Sequence, residues 1–211
     1  RGSSVEESAP AVLRGVLREA LGRGDSDAAE KIIGELERRG EAGGQAAALD
    51  VLLDACAEAG DVNGALDALR KRDAVAPADA FGRQKAGASA LKAATRALAA
   101  RGPRVMNAAL EVRETAEGSH PSLVGARAAS DLVLTLIHTS DGKQAADVAL
   151  RAASSYREDE VAHDAFLTTC LEACEAVAAA ATARLGDEGA FVANNPDVAL
   201  RQAAVDCVVA I

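Results

Sequence analysis

The chain has 211 residues, 49% hydrophobic and only 2% aromatic, with 23 basic against 32 acidic side chains and a formal net charge of −9. Alanine dominates the apolar set; it favours helices and close helix contacts, whereas the β-branched and aromatic residues that a sheet requires are scarce, so an all-α fold is expected. An acidic chain without tryptophan also lacks the charge and the stacking platforms on which sequence-tolerant single-strand binding usually depends.

Pro10 suits the start of a first helix, whose apolar residues Leu13, Val16, Leu17 and Ala20 lead to a Gly24-Asp25 corner. Asp25 or Ser26 is expected to cap a second helix carrying Ala28, Ala29, Ile32 and Ile33, which ends at Gly40 and the pattern-breaking Gly43-Gly44 pair. The whole arrangement recurs 36 positions later without a gap. Leu49, Leu52, Leu53 and Cys56 precede Gly60-Asp61, then come Gly64, Ala65, Ala68 and Leu69, with Asp61 as cap and Asp73 to Pro77 closing the unit. Such self-similarity indicates stacked units, none able to bury its apolar face alone. The third unit is longer, with a helix from about Gln84 to Ala100 and a second after Gly102-Pro103.

After His120-Pro121, a fourth unit places Ala128, Leu132, Val133, Leu136 and Ile137 in one helix and Ala145, Ala146, Val148 and Ala149 in the next, around Ser140-Asp141-Gly142. A fifth spans Val161 to Gly189, its first helix holding Phe166, Leu167, Cys170, Leu171 and Cys174 at three- and four-residue steps, behind the acidic start Glu158-Asp159-Glu160. Asn195-Pro196 then opens a last helix with Val198, Leu200, Val205 and Val208. The expected architecture is a single α-solenoid array over residues 1–211 of about five helix-turn-helix repeats, with units near 9–44, 45–79, 80–118, 119–157 and 158–190 and a terminal helix at 195–211. Arg1 in place of an initiator methionine, and the apolar end Val208 to Ile211, lead us to expect a processed or partial form.

Residues 49–79, reading LDVLLDACAEAGDVNGALDALRKRDAVAPAD, resemble a pentatricopeptide repeat, with its pair of leucines, alanine-glycine turn, alanine-leucine pair and closing proline-aspartate; residues 13–40 look like a weaker copy. The resemblance implies a right-handed superhelix of helical hairpins in a mitochondrion or plastid, often binding single-stranded RNA at one base per repeat. It places Asp50 and Arg14 at the base-reading position of the first helix, and Asp79 near the closing position.

Charge is uneven along the chain. Residues 1–105 hold 16 basic and 16 acidic side chains, residues 106–211 hold 7 and 16. The strongest local signal for binding is Arg83, Lys85, Lys92, Arg96, Arg101 and Arg104, with no acidic residue between Asp79 and Glu111. On a continuous helix Lys85, Lys92 and Arg96 share one face, a stripe suited to RNA phosphates, acidic lipid or an acidic protein, or to pairing with a neighbouring repeat.

The four cysteines, Cys56, Cys170, Cys174 and Cys207, fall within helical patterns and read as reduced core residues; Cys170, Cys174 and His163 have too few ligands for a zinc site. Glycine elbows, phosphate loops, helical zinc motifs and dinucleotide fingerprints are missing, so neither an enzyme nor a cofactor is expected. No apolar run approaches the ~18 residues of a spanning helix. The expectation is a non-catalytic scaffold or adaptor that contacts proteins in a larger assembly, with an organellar RNA-binding protein as the alternative.

Overall fold

The computed structural model describes residues 10–23, 26–38, 42–117, 123–139, 142–189 and 195–211, which are helical with short connections and contain no strand. The helices are α1 (Pro10–Arg23), α2 (Ser26–Arg38), α3 (Ala42–Ala59), α4 (Val62–Val75), α5 (Ala80–Arg101), α6 (Met106–Glu117), α7 (Leu123–His138), α8 (Gly142–Tyr156), α9 (Glu160–Gly189) and α10 (Pro196–Ala210). A turn of 3-10 helix, Gly102–Val105, joins α5 to α6.

Several boundaries have a visible cause. The carboxylates of Asp61 and Asp79 accept from the Gly64 and Gly82 backbone N–H groups at 3.1 and 3.0 Å, and the Asn195 side chain accepts from Asp197 N–H at 2.9 Å, satisfying helix-start donors that lack an intrahelical partner. Asp159 likewise accepts from Ala162 N–H at 3.0 Å at the start of α9. Gly60, at φ 67°, turns the chain out of α3 while its Cα faces Arg96 on α5.

Consecutive helices pair, α1 with α2, α3 with α4, α5 with α6, α7 with α8 and α9 with α10, and the odd-numbered helices pack in series, α1 on α3, α3 on α5, α5 on α7 and α7 on α9. On the other side α4 meets α6 and α8 meets α10. The interior is built from Leu53, Leu69, Leu98, Leu132, Leu136, Ile137 and Phe166, with alanines such as Ala65, Ala90, Ala94 and Ala145 wholly buried between them. Alanine at a contact removes the side-chain layer that would hold two helices apart. α3 is shared between two apolar clusters, Ala48 and Val51 joining the α1–α2 side while Leu49, Leu53, Cys56 and Ala57 join the main core.

Three details differ from the sequence reading. Gly43 and Gly44 lie in the first turn of α3 instead of breaking it; tertiary burial of Gly44 outweighs its poor intrinsic propensity. The fifth unit is one 30-residue helix, because no proline or glycine interrupts residues 160–185 and the alanine tract propagates the helix; its partner is α10, which was expected to stand alone. Val16, expected on the apolar face, is 44% exposed. The corners at Gly24-Asp25, His120-Pro121 and Ser140-Asp141, and the end at Gly40, lie outside the described residues.

Candidate docking groove between α5 and α7

α5 presents two faces. Ala86, Ala90, Ala93, Ala94 and Ala97 are buried, whereas Lys85, Ser89, Lys92 and Arg96, spaced by four, three and four residues, line the opposite side. α7 runs alongside and contributes Arg127, Ala128, Asp131, Leu134 and Thr135. Between them lies a groove of about 630 Å³. Ala88, Ala128 and Leu134, all less exposed than the cations, make its apolar floor, and Lys85, Lys92, Arg96 and Arg127 stand on its rim. The Thr95 and Thr135 hydroxyls donate to Leu91 and Asp131 carbonyls of their own helices, both at 2.9 Å, and so offer only acceptor capacity to a ligand.

Cations unopposed in sequence are opposed in space. Residues of α3 spaced four apart, the partly buried Asp50 and the exposed Asp54 and Glu58, form an acidic row next to α5. Glu58 takes Lys92 Nζ at 3.3 Å and Arg96 Nη1 at 2.9 Å, and Arg96 also donates to the Glu58 carbonyl at 2.7 Å, near the end of α3 where backbone acceptors are free. Hydrogen bonds from Arg96 and then Lys92 hold the Glu58 carboxyl below its ordinary range. Asp54 lies 4.0 Å from Lys85 Nζ and accepts from the Ser89 hydroxyl at 2.8 Å. Arg127 has no ion-pair partner among the described residues.

The six basic residues singled out by sequence therefore divide. Lys85, Lys92 and Arg96 share the groove; Arg83 pairs with Asp73 at 3.1 Å at the α4–α5 corner; Arg101 ends α5 and Arg104 sits in the 3-10 turn, both exposed. Sequence reasoning missed Arg127 and Asp131, opposite charges four residues apart on α7 whose place beside α5 only the packing reveals. It also missed Asp54 and Glu58 as partners, although their four-residue step on α3 signals a common face.

Next to the groove, Arg72 of α4 is wholly buried. Its guanidinium bonds Asp50 on α3 at 3.2 Å, the Asp79 cap of α5 and the Ala76 carbonyl at 3.4 Å, joining three helices at one point. Burial pushes the Asp50 carboxyl above its ordinary value, against the opposing hydrogen bond and charge of Arg72. The Gly82 N–H and then Arg72 hold Asp79 below its ordinary value. The two aspartates to which the repeat resemblance draws attention are thus both occupied by one arginine.

Cys170, Cys174 and Cys207 meet between α9 and α10, all without exposure. Hydrogen bonding with Cys174, and then burial, push the Cys170 and Cys207 thiols far above their ordinary value. No group of three or more histidine, cysteine or acidic residues suited to a metal occurs among the described residues. α9 also departs from the expectation of no spanning segment. By length and composition Glu160–Leu185 is long and apolar enough to cross a membrane, its alanines raising the mean hydropathy to 1.3. The same helix buries Phe166, Cys170, Cys174 and Ala181 and packs on α7, α8 and α10. Comparison with protein-family models, curated proteins and solved structures finds no match for this chain.

Proposed function

We propose that this chain is a non-catalytic helical-repeat scaffold, an α-solenoid of about five helix pairs, that docks a protein partner in a larger assembly. The observation that carries this reading is the groove between α5 and α7, an apolar floor with a charged rim on the face formed by consecutive odd-numbered helices. Serial packing of those helices supports the solenoid, and the matched spacing of residues 13–33 and 49–69 supports a repeat origin. The pentatricopeptide-like stretch 49–79 is the ground for a mitochondrial or plastid location.

A second reading, binding of single-stranded RNA, draws on the four cations lining one groove. It is the weaker one, because a ligand held through its phosphates would leave the apolar floor of Ala88, Ala128 and Leu134 uncovered. Crosslinking of the tagged chain in the cells that express it, followed by mass spectrometry, tests the choice. Docking predicts a stoichiometric protein crosslinked through Lys85 and Lys92, in reduced yield when Arg127 becomes glutamate. Crosslinks confined to RNA, or protein crosslinks undiminished by that change, would overturn it.

A further inference from the structure

We infer that the occupant of the α5–α7 groove is an acidic amphipathic helix of the partner protein, and that Glu58 holds the place of one of its carboxylates; this rests on the docking role proposed above. The groove's dimensions favour such a segment. Lys85 to Arg96 spans about 16 Å along α5, three turns of a helix. Its apolar floor, Ala88, Ala128 and Leu134, is made of small and medium side chains like those at which the chain's own helices meet. A ligand carrying phosphates alone would leave that floor uncovered, whereas an amphipathic helix covers the floor and meets the rim with carboxylates at four- and three-residue steps.

Glu58 adds a regulatory element. It lies outside the groove, reaches both Lys92 and Arg96, and is itself largely exposed, so these pairs are weak and exchange easily for a ligand carboxylate. Arg127, on the opposite rim, forms no ion pair among the described residues, with Asp131 one turn along α7 in the same groove. The groove therefore has one open anchor, Arg127, and two anchors shared with Glu58. Removing the Glu58 charge tightens binding, and reversing the Arg127 charge loosens it.

The probe is a fluorescein-labelled peptide of fifteen residues with a leucine ridge at three- and four-residue steps and glutamate elsewhere, titrated with the full chain in fluorescence anisotropy. Expected are saturable binding, about three- to tenfold tightening with Glu58→Gln, similar weakening with Arg127→Glu, and loss of affinity with added salt. A peptide with glutamine in place of glutamate, or with serine in place of leucine, is expected to lose most of its binding. Because Glu58 and Arg127 are exposed, thermal melts of both variants stay close to that of the parent chain. Equal binding of the glutamine peptide, or no effect of Glu58→Gln, overturns the inference. So does tightening of oligouridylate by Glu58→Gln with the peptide unaffected, which would assign the groove to polyphosphate. If no peptide binds while cellular crosslinks still map to Lys85 and Lys92, the acidic-helix inference fails and the docking role survives; if those crosslinks are absent as well, both fail.

Discussion

Arg72→Met is the most informative perturbation of the fold. Methionine keeps much of the length and apolar stem of the side chain but removes the charge that joins α3, α4 and the cap of α5. Taking one partner from a fully buried ion pair costs about 3–5 kcal/mol. Here Asp50 is 26% exposed and Asp79 49%, so water can take over part of the task. Assigning nothing to Asp79 leaves an expected loss of about 2–3 kcal/mol, dominated by Asp50. The loss depends on pH. Burial already raises the Asp50 pKa in the fold, and without Arg72 it rises further. A carboxyl raised by folding favours the native state below its unfolded value and loses that contribution as pH rises through the folded value. Asp79, lowered in the fold, contributes the other way, above its unfolded value, and loses part of that contribution with Arg72. Both effects make the variant's deficit largest near neutrality and smaller toward about pH 4. Urea unfolding followed by circular dichroism at several pH values measures it. Gly82 supplies an independent check: a Cβ there would run into the Arg72 guanidinium as well as the Asp79 carboxylate, so Gly82→Ala should destabilise the parent chain and lose, in the Arg72→Met background, the part of that effect due to Arg72 while keeping the part due to Asp79. A loss under about 0.5 kcal/mol, a deficit that ignores pH, or additive effects of the two changes would refute the reasoning.

Leu53→Asp places a charge at a wholly buried position of α3 next to Leu49, Cys56 and Ala57, and should remove hydrogen-exchange protection from α3 to α6 together, since each pair leans on its neighbours; an unchanged melt would show the packing to be misassigned. Gly60→Ala forces an L side chain into a left-handed backbone at φ 67° and presses its Cβ to 3.4 Å from the Arg96 Cβ; the expected cost is about 1–2 kcal/mol by denaturant unfolding, and a neutral result would mean the corner adopts another conformation. The four thiols should resist an aromatic disulfide reagent in the folded chain at pH 8 and react fully in denaturant, because all are buried and burial pushes Cys56 up to about 11; rapid native reaction of any of them would contradict that burial.

Which parts of this protein were legible in the sequence follows from the range of the interactions involved. The Asp61 and Asn195 caps and the common face of Lys85, Lys92 and Arg96 depend on residues within about three turns of one another, the helix pairs α3–α4 and α7–α8 join neighbours in sequence, and the 36-residue recurrence is a property of the sequence itself. The missed features depend on contacts between distant segments. Gly43-Gly44 reads as a helix breaker until the burial of Gly44 is seen, and the alanine-rich fifth unit carries no local sign of whether its helix turns back or runs on. Half of the groove was invisible for the same reason: Arg127 and Asp131 matter only because α7 lies beside α5.

The sequence by itself determined that this chain is helical, that residues 13–33 and 49–69 share one spacing of apolar residues, and that a basic stripe rises on one helix, since periodicity and propensity act within a few residues. Tertiary structure alone decided what that stripe is. Stacking of α3 on α5 sets Asp54 and Glu58 against Lys85, Lys92 and Arg96, and stacking of α7 on α5 adds Arg127 and an apolar floor. A charge pattern written along one helix acquires its partners, and so its electrostatic meaning, only when the neighbouring helices are brought within a few ångströms of it.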